Sequence, residues 1–137
     1  MRRQWKEMPR GDKRAQWAGL YVTMNSKGVI VLNRVAHERS DSPQAYLLLY
    51  DAANNTIGLK PTHARMGNAY PAAKYGRHGG RRVNAYRVLT ENGLHITDTI
   101  EFPDAEVDED GILILNLRTA RVSNRALNHP TRRKHLQ

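Results

Sequence analysis

"YVTMNSKGVIVLNRVAHER", residues 21–39, carries the reading of the fold. Two runs rich in β-branched and aromatic residues flank Asn25-Ser26-Lys27-Gly28, where Gly28 can take the positive φ that a tight turn needs. "WAGLYVTM" and "GVIVLN" therefore predict a β-hairpin. The polar stretch from Arg34 has room for two turns of helix before Asp41, Ser42 and Pro43 stop it. "AYLLLYD", the turn "AANN" and "TIGLKP" add a second strand pair, so residues 18–61 predict a β-β-α-β-β unit.

The same order returns over residues 80–117, "GRRVNAYRVLTENGLHITDTIEFPDAEVDEDGILILNL". A Gly-led short strand leads to a helix from about Ala85, with Gly93 placed as its C-cap. "TDTIEFPDAEV" predicts a strand edged by Pro103, Asp110-Gly111 a hairpin turn, and "ILILNL" the last strand. Between the halves, "THARMGNAYPAAKYGRHG" (62–79) lacks a period and predicts a basic irregular loop. Residues 1–17 predict a basic, mobile N-terminal arm, and 118–137 a basic C-terminal tail. An isolated hairpin is marginal in water, but two such units, within one chain or across a dimer, can bury each other's apolar faces. The expected fold class is α+β and strand-dominated, two hairpin–helix–hairpin halves forming one small barrel.

Charge is the least ordinary property of the 137 residues: net +9, with a pI near 10.3. Residues 60–87 hold seven basic side chains and no acid, whereas 98–110 hold seven acids and no base. A cationic surface of this kind implies an anionic partner, nucleic acid before membrane, although basic tails also serve solubility. Arg65, Lys74, Arg77, Arg81 and Arg82 are the candidate phosphate contacts, with Lys27 at the first hairpin tip. Arginine also reads guanine edges, which bears on Arg77, Arg81 and Arg82. Tyr70 and Tyr75, interleaved with these cations, are candidates for base stacking, and equally for packing.

Other chemistries find little support. The absence of cysteine excludes disulfides and thiolate metal sites. The six histidines are unpaired at metal-ligand spacing, and "DAEVDEDG" places Leu117 where a calcium loop needs a bidentate glutamate. The four serines lie in turns or tails outside any nucleophile-elbow motif, and "GRHGGRR" lacks the spacing of a phosphate-binding loop. No enzyme, metal, cofactor or small-molecule substrate is expected. The N-terminus lacks the apolar run of a signal peptide and no stretch is long enough to span a bilayer, so the cytoplasm is the expected location.

"MNSKGVIVLN", a short helix and "LLLYDAANNTIGLKP" together resemble the AbrB/SpoVT-type transcription regulators, and the doubled arrangement is similar to their tandem, MraZ-like relatives. Lys27-Gly28, the alternation through Ile30 and Leu32, and "IGLKP" match that pattern, while Asn25, Val29 and Asn33 replace its acid, arginine and proline. Gly80-Arg81 restores the Gly-Arg pair in the second half. The resemblance implies interleaved hairpins and DNA contact through hairpin and loop arginines, for which Lys27 and Arg81 are the matched cations here. DNA is accordingly expected before RNA, with possible homo-oligomers. An assembly module joined through its acidic turn and basic loop is the alternative, and a single-strand or RNA binder a third reading.

Overall fold

The computed structural model describes residues 3–5 and 19–123. Eleven strands and two short helices make up the described part, with the strands arranged in two separate antiparallel sheets. The class is thus α+β and strand-dominated, as the sequence implies; the strands lie in two separate open sheets. The N-terminal arm over 1–17, apart from residues 3–5, and the tail beyond 123 lie outside the described residues.

The first sheet has the order β11-β8-β1-β2-β7-β6. Its members are β1 (Val22–Met24), β2 (Val29–Leu32), β6 (Ala73–Tyr75), β7 (Gly80–Asn84), β8 (Ile100–Glu101) and β11 (Arg121–Val122). The second has the order β5-β3-β4-β10-β9, with β3 (Ala45–Asp51), β4 (Thr56–Thr62), β5 (Tyr70–Pro71), β9 (Glu106–Val107) and β10 (Leu113–Asn116). Helix α1 is Arg34–Arg39 and helix α2 is Tyr86–Glu91. Pro61 is tolerated in β4 because the pairing of β4 with β10 has ended by Leu59.

Three expectations change. The segment 62–79 is not irregular throughout, because β5 and β6 form within it and join different sheets. "TDTIEFPDAEV" is two strands rather than one, since β8 belongs to the first sheet and β9 to the second. The tail read from residue 118 still contributes β11, which pairs with β8 through Arg121–Glu101 and Val122–Ile100.

The halves are joined strand to strand. β2 pairs with β7, Ile30 opposite Val83, and β4 pairs with β10, Ile57 opposite Leu115. Alternate residues of these strands are fully buried, and Val22, Met24, Ile30, Leu32, Val83, Ile57, Leu59, Leu113 and Leu115 form the core between the sheets. Each hairpin turn rests on the helix of the other half. A Cβ on Gly28 would lie 2.8 Å from the Tyr86 Cα, and the Ala85 amide donates to the Gly28 carbonyl at 2.8 Å. In the second hairpin a Cβ on Gly79 would lie 3.0 Å from the Arg34 side chain. The helices also correspond, each with an exposed i,i+4 pair: Arg34–Glu38 in α1 and Arg87–Glu91 in α2.

Asn33 starts α1 and ties the chain before β1 to it. Its side-chain oxygen accepts from the Ala36 and Tyr21 amides, and its Nδ2 donates to the Gly19 carbonyl at 2.7 Å. At the other end, the buried Ser40 hydroxyl lies 2.6 Å from the Tyr46 hydroxyl. Burial pushes the Tyr46 hydroxyl above its ordinary pKa, against smaller opposing effects of Ser40 and Arg81.

Candidate nucleic-acid interface

Directly opposed residues of a sheet share a face, so register decides which cations meet. One row across the first sheet runs Arg121, Glu101, Thr23, Val31, Arg82, Ala73. The adjacent row, Val122, Ile100, Met24, Ile30 and Val83, is on the core face. Arg82 therefore stands on the outer face with Val31. Arg81, opposite Leu32 and Lys74, stands on the other face, and its guanidinium donates to its neighbour's carbonyl, that of Gly80, at 3.0 Å.

On the outer face the second hairpin makes a groove. It is about 230 Å³ and runs between the turn 76–79 and the start of α1. Val31 of the outer face, the aromatic side chains of Tyr21 and Tyr75, and the cationic or polar Arg34, Arg77 and His78 line it. Tyr75 is 47% exposed, whereas Tyr21 is half-buried and donates its hydroxyl to Glu101 at 3.1 Å. Among the described residues no acid lines the groove. The nearest carboxylates with a defined partner are committed: Glu38 to Arg34 at 3.5 Å, and buried Glu101 to Tyr21 and, at 2.6 Å, to Arg121.

The six expected cations do not converge. Arg77 and Arg82 reach the outer face at the second hairpin, while Lys74 and Arg81 occupy the opposite face. Lys27 is exposed in the first turn, which lies at the other end of β2 because β2 and β7 run antiparallel. Arg65 is exposed in the loop between β4 and β5, beside the second sheet. The two tyrosines also separate. Tyr70 opposes Tyr46 in the second sheet and packs against the core, leaving Tyr75 as the exposed one. The sequence reading missed Arg34 and Tyr21. Asn33, as a helix-capping residue next to Arg34, was the available signal for the first; none was available for the second, which depends on pleat parity.

The acidic turn is locally organised. The Asp108 carboxylate accepts from the Asp110 and Ile112 amides, both at 2.9 Å, and among the described residues no three His, Asp or Glu side chains gather at one point. No helix among the described residues is long and apolar enough to cross a membrane. No family model, curated protein or solved structure matches this chain.

Proposed function

We propose that this is a DNA-binding, regulator-like protein without catalytic activity, which docks through the end of the first sheet formed by the second hairpin and α1. One observation carries the reading: Arg34 and Arg77 line a groove in which no acid stands among the described residues, and Arg82 stands on the same outer face beside Val31. Cations so held engage phosphates with salt-dependent affinity, since each neutralised phosphate releases counterions. Phosphate contact of this kind orients the protein, and the arginines add the capacity to read base edges. The packing of each hairpin turn on the other half's helix supports a single-chain version of the swapped-hairpin arrangement.

The test is binding to mixed-sequence duplex DNA across a salt series. Replacing Arg34, Arg77 and Arg82 by alanine is expected to weaken binding and to flatten the log–log salt slope by about one for each phosphate that is no longer neutralised. A triple variant that binds as tightly as the parent, with the same slope, refutes the assignment.

A second reading, self-association, is favoured by the outer face of the second sheet. There Leu47, Leu49, Ile112 and Ile114 stay only partly covered, Leu49 being 43% exposed, and Lys60 and Glu106 flank them with opposite charges. Sedimentation that finds only monomer at high protein concentration removes this reading.

A further inference from the structure

We infer that the groove at the second hairpin takes a single unpaired base, so that a single-stranded polynucleotide, and not intact duplex, is the preferred ligand of this site. The inference rests on the nucleic-acid reading above and makes it more specific. Its basis is the arrangement of apolar and charged groups. Half-buried Val31 and Tyr21 and the exposed Tyr75 line the groove together with the exposed cations Arg34 and Arg77, and Arg82 stands beside Val31 on the same face. A duplex offers a protein phosphates and base edges while its base faces remain stacked inside, so it has nothing to place against an apolar wall. An unpaired base offers a π-face to an aromatic ring and keeps its phosphates outside, where cations can meet them.

Size limits the occupant further. At about 230 Å³ the groove is smaller than the roughly 300–1,000 Å³ of sites that enclose a drug-sized ligand. It suits one ring system tethered from outside better than an enclosed free metabolite. Gly80 lines the groove without a side chain; a Cβ there would come within 2.8 Å of the Tyr75 carbonyl oxygen. Tyr21 is held by its bond to Glu101, whereas the Tyr75 hydroxyl has no partner among the described residues. One wall is thus fixed and the other is able to adjust to a base. The first hairpin, by contrast, is closed against the backbone of Ala85 and Tyr86.

The experiment uses the full chain and measures equilibrium binding by fluorescence anisotropy at one salt concentration. Its ligands are a labelled single-stranded oligonucleotide, the same backbone carrying abasic sites, and a duplex. Deoxy and ribo versions of the single strand distinguish DNA from RNA as the source of the base. The base-bearing strand is expected to bind about 5- to 100-fold tighter than the abasic one, the range set by stacking of one base. Tyr75→Ala should abolish that difference while leaving the abasic and duplex affinities in place, and Tyr75→Phe should preserve it. Equal binding of base-bearing and abasic strands overturns the inference, as does a Tyr75→Ala variant that weakens all three ligands alike. In both cases the electrostatic docking stands; if none of the ligands binds at low salt, the nucleic-acid reading fails as well.

Discussion

Alanine at Gly28 tests the joint between the halves, and alanine at Gly76 provides its control. Both glycines sit in hairpin turns with nearly the same left-handed backbone, φ +78 and +72. An alanine in that region costs about 1–2 kcal/mol at either position. The surroundings differ. At Gly76 nothing lies within 4 Å of the new Cβ, while at Gly28 it meets main-chain atoms of the other half: Tyr86 Cα at 2.8 Å, Tyr86 N at 2.9 Å and the Ala85 carbonyl carbon at 3.1 Å. Backbone cannot rotate aside as a side chain does, and the Ala85–Gly28 hydrogen bond pins the approach. The turn and α2 must separate, which at the usual cost of overpacking adds about 1–3 kcal/mol. Gly28→Ala should therefore lose about 2–5 kcal/mol and Gly76→Ala about 1–2 kcal/mol. Urea denaturation followed by far-UV circular dichroism measures both, each kcal/mol appearing as about 4 °C in a parallel melt of a domain this size. A Gly28→Ala chain that does not fold lies on the expected side if Gly76→Ala folds. Equal losses would mean that the first turn does not rest on α2.

Asn33→Ala removes the cap of α1 and its tie to Gly19, and should cost about 1–2 kcal/mol in urea; unchanged stability would contradict the capping role. Arg121→Ala leaves the Glu101 carboxylate, only 7% exposed, without its cation. Because Arg121 itself is 65% exposed, the loss should be about 1–2 kcal/mol rather than that of a fully buried pair, and a neutral result would remove β11 from the stabilising structure. Tyr46 supplies a pH prediction. Its hydroxyl titrates above the ordinary value of 10.0 in the folded protein, so the folded state holds this proton more firmly than the unfolded chain does. The resulting stability is complete below pH 10.0 and is lost as pH rises from there through the folded value. Tyr46→Phe should lose about 1 kcal/mol at neutral pH and show a shallower fall in stability above pH 10.0, read by urea titration at each pH; an unaltered alkaline limb refutes it.

Elements governed by near neighbours were legible in the chain. The first hairpin, the two short helices and the acidic turn follow from turn residues, alternation and stop signals that act within a few positions. Gly93 does take positive φ after α2, and Gly111 does so in the turn between β9 and β10. The strand assignments failed where a strand has little pattern of its own or where the chain crosses from one sheet to the other. β6 (Ala73–Tyr75) has little apolar alternation of its own and exists because β7 offers it an edge. β8 and β9 separate because the chain crosses between sheets at Phe102–Ala105, where the Ala105 amide bonds back to the Phe102 carbonyl.

The site follows the same division. Composition and order along the chain showed a strongly cationic middle and suggested two similarly ordered halves, because charge and propensity belong to each residue and its neighbours. Where those charges point belonged to the tertiary structure. Arg81 and Arg82 are adjacent in sequence, yet the pleat sends them to opposite faces, and only the pairing of Val31 with Arg82 says which face is outward. Arg34 reaches the groove from the other half because Gly79 rests against its side chain. Such placements depend on register between strands some fifty residues apart, and a run of residues read singly carries no information about the pleat of a distant partner.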